Sequence, residues 1–113
     1  GSEGAAFHPD LATDRADLVI RKGYIAAIDS YSAFFENDRK TATGLDGYLR
    51  DRGVNRLGMV GLALDFCVAY SALDAARLGY AVTVETGLCR AIDLDGSLAA
   101  MSAQMREAGV RLA

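Results

Sequence analysis

Residues Leu57–Val68 read LGMVGLALDFCV, and the way this stretch divides decides the fold of the chain. Its first half, Leu57–Leu62, is an apolar run of strand length, and its second half launches a helix near Asp65. A strand that turns directly into a helix puts the turn at the carboxyl end of the strand, where open α/β sheets hold their ligands. Cys67 falls in the first turn of that helix. A thiol there faces unpaired backbone N–H groups and the positive end of the helix dipole, the setting in which proteins prepare a sulfur nucleophile.

Downstream, Asp65–Leu78 predicts the helix, with Phe66, Ala69, Tyr70, Leu73 and Ala76 at helical spacing and Gly79 as its stop. Tyr80–Glu85 (YAVTVE) predicts a strand, Gly87–Asp95 a loop, and Gly96–Ala108 a helix with Leu98, Met101, Met105 and Ala108 along one stripe. Val110–Leu112 predicts a short last strand. Upstream, Asp17–Lys22 (DLVIRK) reads as a strand ended at Lys22-Gly23, and Tyr24–Asn37 as a long, partly buried loop. Thr43-x-x-Asp46 has the form of a capping box, opening a helix with Leu45, Tyr48 and Leu49 on its apolar face and Gly53 behind it. The first thirteen residues have the composition of a surface connection, and Gly1-Ser2 is either native or the remnant of a tag.

Strands and helices therefore alternate, which predicts an α/β fold: a parallel sheet joined by right-handed crossovers, with helices on both faces. Three helices are thin cover for four strands, so residues 1–113 are expected to be part of a larger fold.

Composition excludes several function classes. The chain has 113 residues, enough for one core, and a net charge of −3 shows no electrostatic footprint for nucleic acid or a membrane surface. No apolar run approaches the roughly 20 residues of a membrane span, and there is no signal-peptide pattern, so a cytoplasmic location is the default expectation. Two cysteines, Cys67 and Cys89, do not make a disulfide framework. One histidine and scattered acids offer no zinc-ligand cluster.

Among residues that could carry chemistry, Cys67 is either an activated nucleophile or a small buried hydrophobe. The small residues around Gly61 and Ala63 favour the first reading, because they let backbone N–H groups turn inward as an oxyanion hole. Lys22, at a strand end, shares the sheet edge with Cys67 and either steadies its negative charge or is simply solvated. Asp65 is expected to cap the helix carrying Cys67, with a general-base role as the lesser option. His8, beside Pro9, reads as a surface residue and Cys89 as structural. Tyr24, Tyr31, Phe34 and Phe35 form either core or a ring-binding wall. No G-x-S-x-G and no Gly-rich phosphate loop is present.

Taken together, RKGYIAAIDSYSAFFEN (Arg21–Asn37), Leu57–Val84 and CRAI (Cys89–Ile92) resemble the second half of bacterial nicotinamidases, also called pyrazinamidases, within the isochorismatase-like cysteine hydrolases. The patterns K-G…D-S-Y-S-A-F-F and G-L-A-x-D-x-C carry the resemblance. It implies an isochorismatase-like, Rossmann-like three-layer fold of which residues 1–113 are the C-terminal part, the N-terminal half being absent. It implies Cys67 as nucleophile, Lys22 as catalytic lysine, a cis peptide between Leu62 and Ala63, and the N–H groups of Ala63 and Cys67 as oxyanion hole. Tyr31 and Phe66 correspond to positions lining a pyridine pocket. Leu64 stands where the family usually has Thr.

The resemblance also implies a catalytic Asp and a divalent metal (zinc, iron or manganese) whose ligands lie in the N-terminal half, and no metal ligand in this chain. The implied activity is hydrolysis of nicotinamide to nicotinic acid and ammonia through a cysteine thioester, within NAD salvage. The expected partners are the N-terminal half of the same enzyme and the small-molecule substrate, with no nucleic acid and no membrane; a homo-oligomer is left open. Two alternatives remain: the same chemistry on another small amide or ureido compound, and a non-catalytic interaction subunit that keeps the fold.

Overall fold

The computed structural model describes residues 3–113; Gly1 and Ser2, whose origin the sequence leaves open, lie outside the described residues. Its regular elements are α1 (Leu45–Asp51), β1 (Arg56–Leu62), α2 (Ala69–Arg77), β2 (Ala81–Arg90), α3 (Ser97–Glu107) and β3 (Arg111–Leu112). A single 3-10 turn, Glu3–Ala5, precedes them, and a π-helical turn, Leu64–Val68, joins β1 to α2.

The strands form one parallel sheet in the order β1-β2-β3. Successive right-handed crossovers that step in one direction put their helices on one side of the sheet. α2 and α3 accordingly share a core with the inward residues of β2, Val82 and Val84, and Leu45 and Leu49 of α1 pack on the same cluster. α2 lies close because Ala69, Ala72 and Ala75 face the sheet, each fully buried. Phe34, from the loop before α1, and Met105, from α3, fill the remaining volume. The α/β class stands, while within the described residues helices cover one face only. β1 alternates exposed and half-buried along its length, and Val60 and Leu62 on its open side are 56% and 71% exposed.

Helix stops follow the sequence. At the end of α2, Gly79 takes φ of +96°, its N–H donates to Ala76 O (3.1 Å) and Tyr80 N–H donates to Ala75 O (3.0 Å). This paired closure needs a left-handed residue, which glycine adopts without a Cβ clash. The same pair of bonds closes α1 before Val54 and α3 before Val110.

Four expectations are corrected. Asp17–Lys22 is not a strand: it has no ladder partner among the described residues, and Leu18 and Val19 are 40% and 50% exposed. An apolar run becomes a strand only when another backbone pairs with it. β2 runs on through Arg90, into the predicted loop, because it bulges. Met59 pairs with Val84 but Gly61 pairs with Cys89, and the bulged segment is pinned where Thr86 donates twice to Ala113 O. The capping box at Thr43 does not form. The Thr43 hydroxyl donates to Ala33 O (2.6 Å) and accepts from Leu45 N (3.3 Å) rather than from Asp46 N, and Asp46 is turned away to accept the Tyr80 hydroxyl (2.6 Å) and Arg50 Nε (3.1 Å). Asp65 does not cap a helix either, since helical structure already begins at Leu64 with Ala63 in the cap position.

Candidate active site

The turn between β1 and α2 is built by its backbone. Gly61 adopts φ of +141°, and a Cβ there would sit 3.7 Å from Val68 Cγ2. The Leu62–Ala63 peptide is cis. Ala63 O then accepts N–H bonds from both Phe66 and Val68, each 3.1 Å, which winds Leu64–Val68 as one wide π turn. Cys67 rides on that turn, half-buried and unpaired with Cys89, which is buried under the β2 bulge with its thiol on Glu85 O.

Two side chains lock the turn to the rest of the chain. Asp65, fully buried, accepts from Ile92 N (3.0 Å), Asp93 N (2.7 Å) and Ser97 Oγ (2.6 Å), so it fastens the β2–α3 loop onto the Cys67 turn. Burial pushes its carboxyl up, but the bonds from Ser97, Ile92 and Asp93 outweigh that and hold it below the ordinary value. Ser71, one turn beyond Cys67, donates to Cys67 O (2.7 Å) and accepts from Ala33 N (2.8 Å), tying α2 to the loop before α1.

That loop brings in the lysine. Lys22 Nζ donates to Ser30 O (2.8 Å) and lies 3.7 Å from Cys67 Sγ. The Tyr31 ring meets Phe66 edge-on (centroids 5.8 Å apart, 68° between planes) and Tyr70 likewise (5.1 Å, 88°). A cavity of about 420 Å³ follows the outer edge of β1, and Lys22, Tyr31, Leu62 and Cys67 are all on its wall. Ala63 and Phe66 are not, so Phe66 reaches this space through Tyr31.

The aromatic cluster thus splits: Phe34 is core, Tyr31 shares the cavity wall with Cys67, and Tyr24 is 65% exposed. His8 is exposed and accepts from Asp10 N (3.1 Å). Among the described residues no three His, Cys, Asp or Glu side chains converge as metal ligands would. No helix among the described residues is long and apolar enough to cross a membrane.

Sequence reasoning missed Ser71, the Ser30 carbonyl and Asp65's actual partners. Ser71 could have been found, because it lies four residues after Cys67 and so on the same helix face. Nothing local to Ser30 or to Ile92–Ser97 signals their contacts.

A half-buried thiol beside an ammonium, at the carboxyl end of a strand, is an arrangement suited to nucleophilic attack on an electrophilic carbon. The isochorismatase domain model matches residues 1–113, and the chain belongs to that family. Within it, the chain is 48% identical over 111 residues to a nicotinamidase of Acinetobacter baylyi, covering 98% of this chain and 52% of that protein. The solved structure of an Acinetobacter baumanii nicotinamidase/pyrazinamidase superposes with a TM-score of 0.95 at 50% identity, over 99% of this chain and 54% of the other. PnC1 of L. infantum, solved in complex with nicotinate, superposes with a TM-score of 0.93 at 42% identity, over 100% and 56% respectively. The chain spans about half the length of the relatives it matches.

Proposed function

We propose that these residues carry the nucleophile and the lysine of a cysteine amidase that hydrolyses nicotinamide to nicotinic acid and ammonia. The observation that carries this reading is the 3.7 Å approach of Lys22 Nζ to Cys67 Sγ on the turn after β1, in a chain so similar to nicotinamidases. In this mechanism Cys67 gives up its proton and its sulfur attacks the amide carbonyl carbon. Lys22, held by Ser30 O, steadies the negative charge on sulfur. The N–H groups of Ala63 and Cys67 hold the oxyanion of the tetrahedral intermediate. Ammonia leaves with the returned proton, and water splits the thioester to release the acid and restore the thiol. Tyr31, backed by Phe66, forms an aromatic wall for the pyridine ring.

The proton acceptor is an Asp expected from the family resemblance and contributed from outside these residues by the N-terminal half of the enzyme. A divalent metal (zinc, iron or manganese) belongs to the same expectation, and its donors also come from outside the described residues. A place in NAD salvage and a cytoplasmic location complete the reading.

Ammonia release by the intact protein, measured against nicotinamide and a panel of other small amides, tests it. Nicotinamide is expected to be turned over, and Cys67→Ala to abolish turnover. Turnover of another amide with none of nicotinamide would favour the wider amidase reading. Iodoacetamide labelling of Cys67 no faster than Cys89 would favour a non-catalytic subunit.

A further inference from the structure

Glu36 is 1% exposed, yet the proposed chemistry has no use for it. Burying a carboxylate is costly unless it is paired or hydrogen-bonded. Its side-chain hydrogen bond is to the backbone N–H of Gly23, 3.2 Å from Oε1 and 3.4 Å from Oε2. Gly23 follows Lys22 directly and takes φ of +72°.

The platform under Glu36 is rigid. Its own N–H donates to Thr41 O (2.9 Å), its carbonyl accepts from Arg39 N (2.9 Å), and Phe35 bridges to Ala42. The next residue, Asn37, donates from its N–H to Asp29 O (2.9 Å) and accepts from Tyr31 N (3.1 Å). By contrast, the segment before Gly23 has no ladder partner among the described residues and is held by side chains, Arg21 Nη1 donating to Ala5 O (2.8 Å) and Lys22 Nζ to Ser30 O (2.8 Å). The lysine that must reach Cys67 therefore sits at the end of a segment that no strand pairing fixes, and the carboxylate grips the peptide unit immediately after it. A lysine on a flexible four-carbon stem acts at a fixed point only if its backbone is fixed.

We propose that Glu36 is a positioning residue: through the Gly23 N–H it holds the Lys22 backbone where the ammonium spans Ser30 O and Cys67 Sγ. The inference rests on reading Lys22 and Cys67 as the reactive pair.

The test is iodoacetamide alkylation of the intact protein at neutral pH, resolved by mass so that Cys89 is the internal reference. Lys22→Met should slow Cys67 by about tenfold or more; an unchanged rate would sink the reading of the pair, and this inference with it. If Lys22→Met does slow Cys67, Glu36 is tested separately. Glu36→Met, similar in volume but without an acceptor, should slow Cys67 by about tenfold, and Glu36→Gln, which keeps one acceptor, should stay within about threefold of the parent. The Lys22→Met/Glu36→Met pair should be no slower than Lys22→Met alone, because the two act through one group.

Glu36→Asp keeps the charge but draws the oxygens back by one methylene. It should slow Cys67 and speed hydrogen exchange at the Gly23 amide, and it serves if Glu36→Met does not fold. Parent rates in Glu36→Met or Glu36→Asp beside a slowed Lys22→Met, or additive losses in the double variant, would overturn the proposal.

Discussion

Removing one oxygen from Asp65 should cost more stability than its place among the site residues suggests. The carboxylate accepts three hydrogen bonds, from Ile92 N at 3.0 Å, Asp93 N at 2.7 Å and Ser97 Oγ at 2.6 Å. Bonds to a charged partner contribute about 1.5–3 kcal/mol each. In Asp65→Asn the amide oxygen keeps one N–H, and the Ser97 hydroxyl can rotate to accept from the new NH₂. The second backbone N–H is left facing a donor, so the expected loss is about 2 kcal/mol.

With a urea m-value of about 2 kcal/mol/M, that lowers the unfolding midpoint of the intact protein by about 1 M. The pH dependence gives the sharper check. The folded carboxyl lies below its ordinary value of 3.8, so the unfolded chain takes up this proton first as acid is added. The stabilisation is therefore complete above the unfolded value and is lost as pH falls through the folded one. The gap between parent and Asp65→Asn should be constant from pH 7 to about 5 and narrow below about 4. A gap under about 0.5 kcal/mol at pH 7, or one undiminished at the lowest pH where both proteins stay folded, refutes the assignment of Asp65 as an ionised anchor.

Two further outcomes follow from the packing. Ser71→Ala removes the acceptor for Ala33 N and the donor to Cys67 O, leaving a part-buried N–H unpaired; a loss of about 1–3 kcal/mol is expected in urea unfolding, and none would mean water replaces the hydroxyl. The 113-residue chain expressed by itself should be oligomeric or melt without cooperativity. The outer edge of β1 has no partner among the described residues, and Leu62, Leu88, Ile92 and Leu94 are each more than 60% exposed. A monomer by light scattering with a single sharp melt would count against that.

The parts of this fold that could be read from the chain are those written in short-range pattern. Glycine stops at Gly53, Gly79 and Gly109 and the apolar spacing of α2 and α3 depend on neighbours within a turn or two, and they held to within a few residues. The elements that went wrong depend on distant partners. Asp17–Lys22 has a strand's composition, but composition cannot supply the second backbone that makes a strand. The far end of β2 contains Gly87, which ends the alternating pattern, yet Gly61 and Leu62 pair with Cys89 and Arg90 because a bulge restores the register. Asp65 stands where a helix cap is expected by rule, but helical structure already begins at Leu64, and its carboxylate instead accepts from Ile92, Asp93 and Ser97.

The site divides in the same way. Cys67 is legible because a strand-to-helix turn is a local feature, while the approach of Lys22 across 45 residues of sequence is tertiary, and only a shared sheet edge and the family resemblance point to it. What fixes that approach, the Ser30 carbonyl and the Glu36 grip on Gly23, uses one backbone acceptor and one backbone donor. Every residue type but proline presents both groups, so no pattern of side chains could have announced them.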